Sequence, residues 1–360
     1  MRRARTGRRL RVTALGAGAV MVALLAPAGT AGADDNAAPA PGRNLSQQTA
    51  ANLLAAMGGE SYAYAKYDAY RQVATGPLAA LWGRTADMEL RQHFAHFAGA
   101  YGLAGTNKAN LTAAVAGEAY ETTDMYPTFA REAAAAGDQT ASRLFTEIAA
   151  DEAHHRALFA QALTAVNGGG GTVPAPPGAE PVKVVVKITT LKPHTLQNLL
   201  TAMHGEALAN AKYLTYSQAA RAHGSLRVAE LFAGTAKVEL REHFATEANL
   251  AGLAGGSRAN LLVAIGGETN EAKVVYPDAA QQAYLAGERV IGNLFRQTAH
   301  DESRHAATFA SALRQLTLPD GTAVQVSQSG YRHGSGWVHW TCPLCNPPRD
   351  GTGNHWGWAL

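Results

Sequence analysis

Cysteine is almost absent from this 360-residue sequence, which has two cysteines against thirteen histidines. So little cysteine excludes a disulfide-stapled scaffold and favours metal chemistry based on histidine and carboxylates. Long hydrophobic runs are also scarce, and the apolar run VTALGAGAVMVALLAP at residues 12–27 is too short for a comfortable membrane span. No Ser-His-Asp pattern, phosphate-binding glycine loop or nucleophilic cysteine arrangement stands out.

The first 33 residues have the composition of an export signal. A basic segment, MRRARTGRRLR, precedes the apolar run, and the small residues AGA end at a cleavage site near Ala33. This pattern predicts an extracytoplasmic protein, secreted or held in the cell envelope, with a retained membrane anchor as the alternative. The segment holds six arginines and no acidic residue, so its removal lowers the formal charge by six, from +3 to −3. Nothing in the remaining charge suggests nucleic-acid binding.

The rest of the chain is a tandem repeat joined by a glycine- and proline-rich linker. The matching segments are GESYAYAKY (59–67) with GEALANAKY (205–213), ELRQHFA (89–95) with ELREHFA (239–245), and DEAHHRALF (151–159) with DESRHAATF (301–309). Each repeat has the periodicity of four helices, which predicts an all-α fold of two tandem four-helix bundles. The predicted segments are a signal peptide (1–33), a polar leader (34–44), bundle 1 (45–166), a linker (167–193), bundle 2 (194–318) and a Gly/Trp-rich tail (319–360).

Local patterns refine the predicted helices of repeat 1. Their expected ranges are 46–73, 77–98, a third helix from about 110, and 138–166. The proline of MYP, and of VYP in repeat 2, predicts a bend in the third helix. The alternating segment VKVVVKITTL at 182–191 has no strand partner in the sequence and is interpreted as a short ribbon or linker.

Carboxylates interrupt the apolar stripe of every predicted helix. In the fourth helix, positions 145, 148, 152, 155 and 159 share one face and read Phe, Ile, Glu, His and Phe. Buried carboxylates repel one another and are costly unless cations neutralise them. Carboxylate and imidazole together suit iron or manganese, and glutamate with Glu-x-x-His is the pattern of di-iron carboxylate bundles. The sequence therefore predicts metal ions among the helices.

These motifs resemble the rubrerythrin branch of the ferritin-like superfamily over residues 46–166 and 194–318. The resemblance implies ferritin-like bundles, each holding a di-iron pair, with manganese as the alternative metal. The metal ligands it implies are Glu60, Glu89, Glu118, Glu121, Glu152 and His155 in repeat 1, and Glu206, Glu239, Glu242, Glu268, Glu271, Glu302 and His305 in repeat 2. Tyr126 and Tyr276 fall where the family keeps a tyrosine beside the iron pair, and they are the candidate catalytic residues.

The second helix departs from the family pattern, which has Glu-x-x-His there. The third position after the glutamate is Gln92 in repeat 1 and Glu242 in repeat 2. Glu242 remains a candidate ligand, and on this basis repeat 2 is expected to be the more redox-active half. His93 and His243 lie one residue further along, and they are interpreted as outer or surface residues, with direct metal binding as the less favoured alternative.

The stretch between the second and third helices is also unusually short. Only 29 residues separate Glu89 from Glu118, which makes a crossing over the bundle tight for an extended chain. Helix exchange between the repeats, or between subunits in an oligomer, is therefore the alternative to two self-contained bundles.

The tail carries a single Cys-x-x-Cys pair, Cys342 and Cys345, whereas the family's rubredoxin module has two pairs. One pair cannot build a four-thiolate iron site. A zinc site with neighbouring histidines is the less favoured interpretation, and a local disulfide or a remnant of the module is preferred.

The resemblance implies reduction of hydrogen peroxide, or oxidation of Fe(II) by peroxide or dioxygen, with electrons from an external donor. The alternative is a non-catalytic iron-binding or iron-buffering protein of the cell envelope. Retained ligands are consistent with both functions, whereas the missing second cysteine pair favours the alternative.

Overall fold

The computed structural model describes residues 44–316, 325–327, 330–333 and 336–338. The predicted signal peptide, nearly all of the polar leader, and the Cys342/Cys345 pair lie outside these residues. Within the described part of the chain, none of the helices combines the length and the apolar character that a membrane span requires.

The four predicted helices of repeat 1 are present, and two of them contain an internal π-helical segment. They are α1 (Gln47–Val73); α2 (Gly76–Met88), π1 (Glu89–Phe94) and α3 (Ala95–Tyr101); α4 (Asn107–Tyr120), π2 (Glu121–Met125) and α5 (Tyr126–Ala136); and α6 (Gln139–Val166). The Ser46 side chain caps α1 by accepting from the Thr49 amide. Gly102 and Gly137 end two helices with left-handed backbone, at φ 72° and 86°.

Repeat 2 has the same order of elements. They are α7 (Pro193–Ala222); α8 (Leu226–Val238), π3 (Glu239–His243) and α9 (Phe244–Ala251); α10 (Ser257–Asn270), π4 (Glu271–Val275) and α11 (Tyr276–Leu285); and α12 (Arg289–Gln315). The all-α prediction is confirmed.

Each π-helical segment begins at a glutamate that was predicted to bind metal. A π segment adds a residue to one turn, which changes the direction of every later side chain and is common at functional sites. In the third helices, π2 and π4 end two residues before Pro127 and Pro277. Because proline cannot donate to the preceding turn, the structure has a widened turn at the place where the sequence predicted a bend.

Residues 182–191 are a linker without strand structure, one of the two interpretations of that sequence, whereas the tail contains strands that were not predicted. Residues 172–192 form neither helix nor strand; they run along the second helix of repeat 2, where the Val182 amide donates to the Arg241 carbonyl at 2.7 Å. The tail, which carried no predicted element, contains three short strands in an antiparallel meander. They are β1 (Gln325–Ser327), β2 (Gly330–His333) and β3 (Gly336–Val338), with Val326 opposite Tyr331 and Arg332 opposite Trp337.

Each four-helix bundle takes two helices from each repeat. Bundle A contains α1–α3 and α10–α12, and bundle B contains α4–α6 and α7–α9, while α1 and α7 pack against each other between the bundles. The buried aromatic clusters show this exchange directly. Trp82 of repeat 1 lies 4.6 Å from Phe309 of repeat 2, and Phe159 of repeat 1 lies 5.2 Å from Phe232 of repeat 2, measured between ring centroids.

Because of this exchange, the predicted helix composition of each bundle was wrong, although the sequence does consist of two repeats. Bundles 1 and 2 were expected to form separately from residues 45–166 and 194–318, and they do not. The alternative prediction, helix exchange between the repeats, describes the structure. The physical reason is the connection at 102–106, which has five residues between α3 and α4. Five residues cannot return the chain along the length of a bundle, so the third helix enters the neighbouring bundle instead.

Candidate metal centres

Six buried side chains meet in the middle of bundle A, and we refer to them as centre A. They are Glu60, Glu89 and His93 from repeat 1 and Glu268, Glu302 and His305 from repeat 2. His93 Nδ1 lies 2.8 Å from Glu89 and 2.9 Å from Glu302. His305 Nδ1 lies 3.2 Å from Glu89 and 2.8 Å from Glu302. Glu89 and Glu302 therefore lie between the two imidazoles.

Glu60 and Glu268 complete centre A at its two ends. Glu60 is 3.5 Å from His93 Nδ1, and Glu268 is 3.3 Å from His305 Nδ1. Two groups of four residues result, each with one histidine and one carboxylate of its own, and both groups share Glu89 and Glu302. Within a group, one ligand atom from each residue lies within 4.8 Å of all the others.

Bundle B holds the same arrangement with the repeats interchanged, and we refer to it as centre B. Its residues are Glu118, Glu152 and His155 from repeat 1 and Glu206, Glu239 and His243 from repeat 2. The shared carboxylates are Glu152 and Glu239, which lie 2.9 and 3.1 Å from His243 Nδ1 and 2.8 and 3.3 Å from His155 Nδ1.

Hydrogen bonds among the side chains of each centre cannot satisfy all of their nitrogen and oxygen atoms, whereas a pair of bound cations could. A histidine nitrogen carries at most one proton, yet His93 Nδ1 approaches three carboxylates. Neither nitrogen of His93 or His243, and neither oxygen of Glu89 or Glu239, has a partner in hydrogen-bonding geometry. Buried polar atoms without such partners call for an ion or a group to satisfy them. Four carboxylates and two imidazoles per centre match the ligand preferences of iron and manganese.

The rubrerythrin family model matches residues 51–163 and 259–331, together more than half of the chain. The chain belongs to the rubrerythrin family. The resemblance noted in the sequence is thus confirmed, and the buried carboxylate and histidine groups lie in a family fold.

Several curated members of the rubrerythrin family are similar to this chain. Nigerythrin of Nitratidesulfovibrio vulgaris strain Hildenborough is 29% identical over 192 residues, covering 49% of this chain and 95% of nigerythrin. Rubrerythrin of the same organism is 28% identical, covering 43% of this chain and 91% of the relative. Rubrerythrin of Porphyromonas gingivalis strain W83 is 32% identical, covering 43% of this chain and 86% of the relative. None of the solved structures gives a significant match.

The structure moves one predicted ligand away from the centres and brings two unpredicted histidines in. Glu242 is only half-buried and accepts a hydrogen bond from the Glu180 amide of the linker. Gln92, its counterpart, is exposed. His93 and His243, which were interpreted as outer residues, are 3% exposed and lie inside the centres. The π segment explains both corrections, because its wider turn brings the fourth residue after the glutamate, not the third, onto the inner face.

The expectation that repeat 2 is the more redox-active half loses its basis with this correction. It depended on Glu242 binding metal where Gln92 could not. Moreover, neither repeat owns a centre, because each centre takes three of its six residues from each repeat.

Glu121 and Glu271, also predicted as ligands, lie beside the centres, each with a lysine from the first helix of the other repeat. Burial and neighbouring carboxylates raise the pKa of both glutamates well above the ordinary value, and the charges of Lys212 and Lys66 oppose this rise. The sequence showed both lysines in the AKY motif, but nothing in one helix alone paired them with these glutamates.

Tyrosines hold the carboxylates at the ends of each centre. Tyr276 and Tyr126, the predicted catalytic residues, donate to Glu60 and Glu206. Two further tyrosines, Tyr67 and Tyr213, donate to Glu268 and Glu118 and were missed as site residues. The sequence feature that could have identified them is their position on the same buried stripe as the glutamate of the first helix. All four hydroxyls cross between repeats, so hydrogen bonding and helix exchange support each other.

Without bound metal, the pKa values of these side chains show how burial disfavours the charged carboxylates and how the histidines compensate. Burial raises the pKa of Glu60 to about 7 and that of Glu206 to about 8. Burial would also raise the pKa of Glu89, but the close imidazoles of His305 and His93 lower it to about 2. Burial disfavours the imidazolium of His155, yet Glu239 and Glu152 raise its pKa to about 10. Protonated histidines therefore supply the positive charge that metal ions would replace.

Replacing Glu242 by glutamine is expected to leave metal binding at centre B unchanged within about twofold, because its carboxylate faces the linker. The matched variant His243→Ala removes a side chain from the centre and is expected to cost at least one metal ion per chain. Elemental analysis after Mn(II) loading and desalting gives both results. A loss of metal in Glu242→Gln, with His243→Ala unaffected, would restore the original ligand assignment.

Proposed function

We propose that this chain is an exported di-iron oxidoreductase that reduces hydrogen peroxide, or oxidises Fe(II) with peroxide or dioxygen, at centres A and B. The observation that carries the proposal is the sharing of two carboxylates between two four-residue groups in each centre. Such sharing suits two adjacent metal ions, since each shared carboxylate has one oxygen for each ion. A bound pair of irons would supply two electrons, the number needed to reduce one hydrogen peroxide to two waters.

The protein's own groups position and enclose this chemistry. In centre A, Glu89 and Glu302 would contribute to holding both ions, and Glu60 with His93 would complete the ligand set of one of them. Tyr276 fixes Glu60 and presents a hydroxyl at the centre, where it can hydrogen-bond an oxygen species. The six residues are at most 8% exposed, so bulk water is largely excluded and the charges act at low dielectric.

The second candidate function is iron storage or buffering without turnover. The observation in its favour is that the sequence has one Cys-x-x-Cys pair and therefore no four-thiolate relay of its own. Export is proposed on the sequence of residues 1–33, and mass spectrometry of the mature N-terminus would test it by showing whether cleavage occurs near Ala33.

Anaerobic loading with Fe(II), followed by one pulse of hydrogen peroxide, separates the two candidates. We expect one peroxide consumed for every two Fe(II) oxidised, within the mixing time of stopped-flow, and further turnover only with an added electron donor. Glu89→Ala combined with Glu152→Ala, which damages both centres, is the control and should oxidise added iron no faster than buffer. Iron that binds tightly but reacts no faster than this control would favour buffering.

A further inference from the structure

Centres A and B differ at one completely buried position in the second helix of each repeat. Eight residues after the shared glutamate, repeat 1 has Phe97 and repeat 2 has Glu247. Both side chains are buried, and the relative exposure of each residue is 0%. A buried glutamate where the sister repeat has phenylalanine is costly unless something compensates for its charge.

In bundle A, the position is filled by an aromatic contact. The ring centroid of Phe97 lies 5.6 Å from that of Tyr276 and 5.2 Å from that of Phe295. The Tyr276 hydroxyl donates to Glu60. Phe97 therefore contributes packing to centre A and no charge.

In bundle B, a second carboxylate takes this place beside the metal ligand. The Tyr126 hydroxyl lies within hydrogen-bonding distance of Glu206 and also of Glu247, at 3.1 Å from Glu247 Oε1. One hydroxyl has a single proton to donate, so it cannot satisfy both carboxylates at once. Glu247 Oε2 has no hydrogen-bond partner and is shielded from solvent. Burial and the charge of Glu206 raise the pKa of Glu247 well above its ordinary value, and the charge of His243 opposes this rise.

We propose that Glu247 is an affinity-determining residue that makes centre B bind divalent metal more tightly than centre A. This deepens the proposed function and rests on it, since it assumes that both centres bind metal. A cation at centre B would displace the proton that Glu247 holds, and the ionised carboxylate would then attract the cation in a dry interior, where the attraction is weakly screened. Its unpartnered oxygen also favours a hard, oxygen-preferring ion such as Mn(II) or Fe(II). Unequal centres would fill one after the other as the metal supply rises.

The test measures Mn(II) affinity in full-length chains that keep one centre, by the electron paramagnetic resonance signal of free Mn(II). Glu89→Ala with Glu302→Ala leaves centre B, and Glu152→Ala with Glu239→Ala leaves centre A. We expect centre B to bind at least about tenfold more tightly, a difference of ~1.4 kcal/mol. Adding Glu247→Gln to the chain with centre B should remove most of this advantage, because the amide can still accept from Tyr126 but carries no charge.

A second variant separates charge from folding. Glu247→Phe places in bundle B the residue that bundle A already accommodates at this position, so it should fold and bind Mn(II) with the affinity of centre A. The proposal is overturned if Glu247→Gln or Glu247→Phe keeps the wild-type affinity of centre B within twofold, or if centre A binds as tightly as centre B. Absence of Mn(II) binding by both single-centre chains would instead overturn the proposed function, and this inference with it.

Discussion

A chain carrying both Glu89→Ala and Glu302→Ala is expected to lose two of four bound metal ions and to keep the other two. Four ions correspond to the four ligand groups of the structure, two in each centre. The two glutamates come from different repeats, but both are shared carboxylates of centre A. Removing either should empty that centre, because each ion loses a ligand, and removing both should cost nothing more.

The matched control is Glu89→Ala combined with Glu152→Ala, two changes within repeat 1. Helix exchange places these residues in different centres, so this pair should remove all four ions. Self-contained repeats would give the opposite pattern, with the first pair emptying both centres and the control pair emptying one. Elemental analysis after Mn(II) loading and desalting distinguishes the two patterns, and circular dichroism of each variant checks that the helices are retained.

Helical periodicity was sufficient to find most of the residues that the structure brings together. Glu60, Glu118, Glu152 and His155 each lie on a buried stripe, and a stripe depends only on spacing within one helix. The spacing shows that a carboxylate points into a core. It does not show which helices share that core, because this depends on how the chain crosses between bundles.

The prediction of which side chains face inward was wrong where the α-helix is interrupted by a π-helical segment. The alternating three- and four-residue spacing of the predicted stripe continues from Glu239 to Glu242, whereas π3 brings His243 inward. The repeat itself contained the missing signal: histidine occurs at both 93 and 243, while the preceding position changes from Gln92 to glutamate. A residue kept in both copies was a better guide than the helical period.

The helix exchange could be suspected from the sequence but not assigned. The short stretch near residues 102–106 made a crossing within one repeat difficult, and the same stretch allowed exchange within the chain or between subunits. Glu247 was missed for another reason. Its counterpart is Phe97, so the position had the character of an ordinary core site in one repeat and an outlier in the other.

Without metal, the protein is expected to become less stable as pH rises from about 6 to about 9, and metal should remove this loss. The folded state holds protons that the unfolded chain releases. Burial raises the pKa of Glu60 to about 7 and that of Glu206 to about 8, from an ordinary value of 4.5. His155, whose burial is outweighed by the charges of Glu239 and Glu152, has its pKa raised to about 10 from 6.5.

The sign of the effect is the same for both kinds of group. A histidine with a raised pKa stabilises the fold fully below its unfolded pKa of 6.5, and this contribution disappears as pH rises towards 10. A glutamate with a raised pKa, such as Glu60, stabilises the fold fully below its unfolded pKa of 4.5. This contribution disappears as pH rises towards its folded pKa of about 7. Each proton held in excess costs ~1.4 kcal/mol per pH unit. A fall of several kcal/mol across the window is therefore expected.

Metal ions reverse this dependence because they bind deprotonated imidazole and carboxylate, so their affinity rises with pH as protons are released. Glu89 acts in the other direction, since its pKa of about 2 makes its contribution disappear only in acid, below about 4.5. Urea unfolding at a series of pH values, with a chelator and with saturating Mn(II), measures both curves. A metal-free protein that is equally stable at both ends of the window, or more stable at pH 9, would show that protons do not replace metal in these centres.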